Sequence, residues 1–152
     1  MEILPEIELH LRPAVSSEAA VIRRMVRSAH LNPIDLNWRH FLLAVTDTEE
    51  IAGCVQIRPH RDGTRELASL VVAAPMRGRG LARRLIEAVR MGQQPPLYLM
   101  CESSLEPMYR KFGFQPLLPK EMPPHYWRLY QMVENFQKIA RKSGSLSVMR
   151  WE

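Results

Sequence analysis

The 152-residue sequence has no apolar stretch approaching the ~18 uncharged residues of a membrane-spanning helix, so a helical membrane protein is excluded and no membrane partner is expected. It has only two cysteines, Cys54 and Cys101, which do not form a Cys-x-x-Cys pair. A disulfide framework is excluded by that count, and both are expected to be reduced, buried thiols. Seven glycines and twelve prolines occur without a period, which rules out collagen-like and low-complexity chains. The five histidines, His10, His30, His40, His60 and His125, show neither His-x-x-x-His nor His/Cys ligand spacing. That pattern predicts no metal, and each is expected on a surface or a strand. The first thirteen residues carry Glu2, Glu6 and Glu8 and no continuous apolar run, unlike a secretory signal or an Arg-rich transit peptide, so a cytoplasmic location is expected.

What is present is an ordinary globular composition, 46% hydrophobic and 24% charged. A chain of this length buries roughly 70% of its unfolded surface, enough for one core. A single domain over residues 1–152 is therefore expected. The net charge is +5, from 21 Lys+Arg against 16 Asp+Glu. The arginines are dispersed into Arg23, Arg24 and Arg27, then Arg77, Arg79, Arg83 and Arg84, then Arg141 beside Lys142. Most read as solvated helix faces, which argues against nucleic acid as a partner. One cluster remains available for a small polyanionic cofactor.

Periodicity supplies a mixed α/β order. Ile7, Leu9 and Leu11 alternate with polar residues as in a strand with one buried face, and Ser16 or Ser17 then caps a helix carrying Ile22, Met25, Val26 and Ala29. Apolar runs at Phe41 to Val45, Ile51 to Ile57 and Glu66 to Val72, separated by short polar turns, predict an antiparallel meander. A helix follows with Leu81, Leu85, Ile86 and Val89 on one face, ending near Gly92. A strand at Leu97 to Cys101, a short helix through Tyr109 and a strand at Phe114 to Leu118 come next. Leu129, Met132, Val133, Phe136 and Ala140 predict a long helix from about His125 to Arg141, before a last strand at Leu146 to Trp151.

The segment most informative about chemistry is strand, Gly-rich turn, helix: LASLVV, AAPM, RGRGLARRLIEAV. Glycines at 78 and 80 let successive backbone N–H groups turn inward toward the positive end of a helix, which makes an anion site, and Arg77 and Arg79 add charge. The dinucleotide fingerprint fails because position 83 is Arg83, and the Walker loop fails because no Gly-Lys-Ser/Thr follows.

Arg77 to Ala82, RGRGLA, is similar to the Q/R-x-x-G-x-G/A signature of the GNAT superfamily of N-acetyltransferases, in which an apolar strand also precedes and an amphipathic helix follows. Leu97 to Phe114, LYLMCESSLEPMYRKFGF, resembles that family's strand, short helix and Tyr-x-x-x-Gly-Phe ending. The resemblance runs from about Ile7 to Leu118 and weakens beyond. It implies a central, mostly antiparallel sheet flanked by helices and splayed near Val72 and Cys101, with the helix before the last strand as an extra element. The implied cofactor is acetyl-CoA. Its pyrophosphate would be held by the N–H groups of Arg77, Gly78, Arg79, Gly80, Leu81 and Ala82, and its pantetheine by the backbone of Leu70, Val71 and Val72.

The resemblance implies direct transfer to an amine, and an amine near pKa ~10.4 must lose a proton first. Glu66 occupies the place of the family's base, sharing an expected strand face with Ala68, Leu70 and Val72. Tyr109 stands at the family's tyrosine and would protonate the departing thiolate; packing against Phe112 or Phe114 is its alternative. The chain departs from the family where an acid is usual near Ala68, Asn at Glu102 and Ala at Leu105. Cysteine nucleophilic catalysis is not expected, since neither thiol has a His partner in sequence. The implied acceptor is a primary amine of a small metabolite or amino acid; one bearing a carboxylate would suit Arg58 or Arg128. A protein or peptide amine and a non-catalytic acetyl-CoA-binding module remain open, as does a homodimer through the long helix. Tyr126, Trp127 and Tyr130 at that helix's start are expected to pack in the core or a dimer, or to wall the acceptor site.

Overall fold

The computed structural model of the chain describes residues 8–140 and 145–152. Ile7, at the expected start of the first strand, and the Arg141-Lys142 pair lie outside the described residues. The described chain falls into two compact units, Met1–Ile57 with Ser69–Gly92, and Arg58–Ala68 with Gln93–Glu152. Strands β3 (Ile51–Pro59) and β4 (Arg65–Val72) each contribute residues to both. Among the described residues the hydrogen-bonded strand order is β1-β2-β3-β4-β5-β7-β6, a seven-stranded, mostly antiparallel sheet flanked by helices.

In the first unit, β1 (Leu9–Pro13) pairs antiparallel with β2 (Phe41–Thr46), from Leu9↔Thr46 to Pro13↔Leu42. β2 pairs antiparallel with β3, with a register shift at Ala44/Val45. Helix α1 (Ala19–Ser28) buries Ile22 and Val26 against Phe41, Leu43, Val45, Cys54 and Val71. The expected Ser cap is absent; Glu18 occupies that junction. Its carboxylate accepts from the Val15 amide at 2.8 Å and from both terminal nitrogens of Arg12 at 2.8 Å. The Arg12 hydrogen bonds hold the Glu18 carboxyl below its ordinary value. Helix α2 (Leu81–Met91) buries Leu85 and Ile86 completely. A Cβ at Gly53 would stand 3.0 Å from the Val71 carbonyl oxygen and 3.1 Å from Leu85 Cδ1, so glycine is what admits this helix against β3.

In the second unit, β5 (Leu97–Glu102) and β6 (Phe114–Pro116) both pair antiparallel with β7 (Leu146–Trp151), and β4 pairs parallel with β5 at Glu66↔Tyr98. Between β5 and β6 lies the short helix α3 (Glu106–Arg110). Helix α4 (Pro124–Ala140) begins one residue before the expected His125. Pro at the first helical position suits it, because the missing N–H would lack a helical acceptor anyway. The next amide, of His125, donates to the Asp62 carboxylate in the β3–β4 turn. That carboxylate also accepts from the Thr64 amide at 2.9 Å and the Thr64 hydroxyl at 2.6 Å. Burial opposes ionisation of Asp62, yet these donors and the facing His125 keep its carboxyl below the ordinary value.

The apolar stripe of α4 differs from expectation, for Met132 and Phe136 are exposed, at 65% and 59%. The helix is anchored instead by Tyr126, fully buried in a cluster with Tyr98 and Val148. Among the described residues no helix is long and apolar enough to cross a membrane.

Candidate functional site

After Val72 the chain makes a 3₁₀ turn at Ala74–Met76 and passes through residues 77–80 into α2. Gly78 has φ +77 and Gly80 φ +74, the left-handed region that strains a side chain. A Cβ at either would meet nothing within 4 Å, so backbone conformation, not space, requires glycine here. Gly80 is the N-cap of α2, and its carbonyl accepts from the Arg84 amide at 3.2 Å. The amides of Leu81, Ala82 and Arg83 thus occupy the first turn, where no intrahelical acceptor exists. With the helix's positive end behind them, they form an anion cradle. Arg77 Nε donates to the Val72 carbonyl at 3.2 Å, which fixes that side chain at the mouth of the turn. Beside it lies a cavity of about 360 Å³ lined by Arg24, Met25, Val71, Val72 and Arg77 among others, within the size range of small-ligand sites. This chemistry fits a diphosphate-bearing cofactor. Leu70 to Val72 at the end of β4, and Arg77 to Ala82 in the glycine turn and the start of α2, all lie in the first unit.

β4 runs through Ser69 with a left-handed backbone there, φ +57. The expected single face of Glu66, Ala68, Leu70 and Val72 is therefore wrong, because a left-handed residue breaks the two-residue alternation. Such a backbone costs about 1–3 kcal/mol and persists where its surroundings fix it. Here the fully buried Gln56 donates through Nε2 to Ser69 Oγ at 2.7 Å, and the Cys54 thiol donates to the Ser69 carbonyl at 3.5 Å.

Glu66 and Tyr109 belong to the second unit. Glu66 is 7% exposed, although it follows a turn that would suit a solvated charge. Its Oε1 shares a 2.7 Å hydrogen bond with His60 Nε2. The His60 ring stacks on His125, with centroids 3.7 Å apart and planes at 25°. Tyr126 meets both edge-on, at 5.7 Å from His60 and 5.1 Å from His125. Burial lowers the His125 pKa, helped by charge on His60 and Arg58 and opposed by Glu66 and Asp62. Sequence spacing missed this cluster, since His125 lies far along the chain and reaches the β3–β4 turn only through the seating of α4.

One ligand atom from each of His60, Glu66 and His125 lies within 4.8 Å of the others, the makings of a cation site. Ligands around a tetrahedral zinc at ~2.0–2.1 Å would stand roughly 3.3 Å apart, with ring lone pairs converging. The 2.7 Å contact and the stacked rings are instead the geometry of a hydrogen-bonded network.

Tyr109 is 7% exposed and meets Phe114 edge-on at 6.2 Å. Burial, then charge on Cys101, pushes its phenol up to about 12, so it keeps its proton at neutral pH. Burial also pushes the thiols up, Cys54 to about 12 and Cys101 to about 11, which removes the thiolate a covalent mechanism needs. Of the two arginines considered for a carboxylate, Arg128 is exposed, whereas Arg58 is half-buried with a buried Nε that has no hydrogen-bond partner among the described residues.

The family model for the acetyltransferase (GNAT) domain matches residues 37–116, more than half of the chain. N-acetylglutamate synthase from Neisseria gonorrhoeae, solved with coenzyme A and N-acetyl-glutamate, is 18% identical with a TM-score of 0.71 over 97% of this chain. The chain spans 36% of that protein's length. Rv2747 from Mycobacterium tuberculosis, solved with coenzyme A, is 15% identical with a TM-score of 0.70, covering 93% of this chain and 98% of that one. YhbS from Escherichia coli, also with coenzyme A, is 21% identical with a TM-score of 0.56, over 76% of this chain and 73% of that one. No curated protein sequence matches.

Proposed function

The chain belongs to the GNAT acetyltransferase family, and from that premise we propose that residues 1–152 form one N-acetyltransferase domain acting on the primary amine of a carboxylate-bearing small molecule, such as an amino acid. The observation that carries the acceptor class is Arg58, whose buried Nε has no hydrogen-bond partner among the described residues. A buried guanidinium nitrogen without an acceptor favours an anionic ligand group, and a carboxylate matches its geometry. The Neisseria neighbour solved with N-acetyl-glutamate supports the same class.

Acetyl-CoA, when bound, supplies the thioester acetyl group that the amine attacks. The amides of Gly78 to Ala82, with Arg77 and Arg79, would hold its pyrophosphate, and the backbone of Leu70 to Val72 its pantetheine. The Leu70 N–H would polarise the thioester carbonyl. The Glu66–His60 pair takes the amine's proton, and the Tyr109 O–H donates to the leaving sulfur.

The test is thiol release from acetyl-CoA across a panel of free amino acids and their decarboxylated amines. Transfer to amino acids, with a KM raised roughly ten- to hundredfold in Arg58→Gln and kcat little changed, is the expected result, the size of one lost charged hydrogen bond. Equal rates for an amino acid and its decarboxylated amine, or an unchanged KM in Arg58→Gln, would remove the carboxylate from the proposal.

A further inference from the structure

We propose that His60 is the group that receives the acceptor's proton, with the buried Glu66 as its positioning residue. The inference rests on the N-acetyltransferase reading and assigns a role within it. A carboxylate beside an imidazole accepts the ring N–H, so Glu66 Oε1 takes the hydrogen on Nε2 at 2.7 Å. That leaves the lone pair of Nδ1 as the basic atom and fixes the tautomer.

The general chemistry of the two side chains supports this order. An ammonium near pKa ~10.4 stands ~4 units above an ordinary imidazole at ~6.5 and ~6 above an ordinary carboxylate at ~4.3. The imidazole therefore closes roughly two units of the gap, about a hundredfold in the transfer equilibrium. The positive charge that His60 acquires then sits beside the Glu66 carboxylate, which is 7% exposed and weakly screened.

The surroundings leave His60 as the imidazole paired directly with a carboxylate. His125, from α4, covers the other ring at 3.7 Å and is held below the ordinary imidazole value, so it stays neutral at physiological pH. Tyr126 of α4 turns its edge to both rings, with Tyr98 of β5 stacked on it at 5.0 Å. Arg58 of β3 and Asp62 of the turn act on His125 with opposite signs. In the step itself one N–H bond of the ammonium breaks, the proton bonds to His60 Nδ1, and the electron pair stays on nitrogen for attack. The imidazolium afterwards returns the proton to water.

The test uses the full chain with ¹⁵N-labelled histidine and the panel amine that wild type acetylates fastest. At mildly alkaline pH the His60 ring should carry its hydrogen on Nε2, and His60→Gln should lower kcat roughly 10²- to 10⁴-fold, leave acetyl-CoA affinity unchanged and erase the acid-side inflection of the rate profile. Glu66→Gln should lower kcat while KM for the amine and acetyl-CoA affinity stay within a few-fold of wild type. A His60 ring protonated at Nδ1 would overturn the assignment, as would a His60→Gln enzyme with the wild-type inflection and rate. Failure of wild type to bind acetyl-CoA would instead count against the acetyltransferase reading, because His60 lies outside the phosphate loop.

Discussion

Replacing Glu66 with Gln is expected to lower kcat for acetyl transfer by roughly 10²- to 10⁴-fold, the usual range for removing a partner in proton transfer. Gln keeps the side chain's volume, and its oxygen can still accept from His60 Nε2, now 2.7 Å from Glu66 Oε1. What it lacks is the negative charge that stabilises an imidazolium. The substitution therefore separates chemistry from folding. Acetyl-CoA affinity should stay within a few-fold, since the proposed phosphate contacts belong to residues 77–82, and the unfolding midpoint should move little. Glu66 is buried, so its charge is the feature most in need of a function. A variant that transfers acetyl groups at the wild-type rate would make Glu66 a packing residue bonded to a histidine, with no part in the reaction.

Tyr126→Ala is expected to produce the largest loss of stability, about 3–5 kcal/mol by analogy with other buried aromatic truncations. Tyr126 is fully buried, stacked on Tyr98 with centroids 5.0 Å apart, and joined in the same cluster to Val148, Met100, Leu117 and Met122. It is the residue that seats the start of α4, whose Met132 and Phe136 are exposed. For a chain of this size such a loss lowers the melting temperature by on the order of 10 °C. Tyr126→Phe removes only the 3.3 Å hydrogen bond between its hydroxyl and Thr64 Oγ1 and should cost about 1 kcal/mol or less. Because His125 adjoins Tyr126, the alanine variant should also lower activity before it unfolds. Calorimetric or circular-dichroism melting of the three proteins checks the ranking; equal melting temperatures for wild type and Tyr126→Ala would show that α4 is held elsewhere.

The strands, the helices and the glycine turn were legible because each depends on near neighbours. Alternation around Leu9, the spacing of Leu81, Leu85 and Ile86, and glycines two apart at 78 and 80 are local signals, and the elements formed within a residue or two of expectation. The break at Ser69 was hidden, since serine is no marker of a left-handed backbone; the conformation is held by Gln56 and Cys54 on the neighbouring strand. The stripe on α4 misled for a related reason, because spacing at Met132 and Phe136 cannot tell a buried face from an exposed one. Glu66 was singled out by its place before Val72, but its partners were not. His60 and His125 meet only because Asp62 accepts the His125 amide and Tyr126 fills the cluster beneath. Likewise the choice of Arg58 over Arg128 needed burial, which their similar one-letter surroundings do not reveal.

The central claim, that the Gly78–Gly80 turn serves a bound acetyl-CoA, is tested most directly by titrating the purified chain with acetyl-CoA in a calorimeter, with NAD and ATP as controls. The account predicts saturable binding of acetyl-CoA at micromolar Kd, about −8 kcal/mol, and no comparable binding of either control. No heat of binding with acetyl-CoA, or equal binding of ATP, would mean that residues 77–82 form only a turn or a general anion site, contradicting the proposed acetyltransferase.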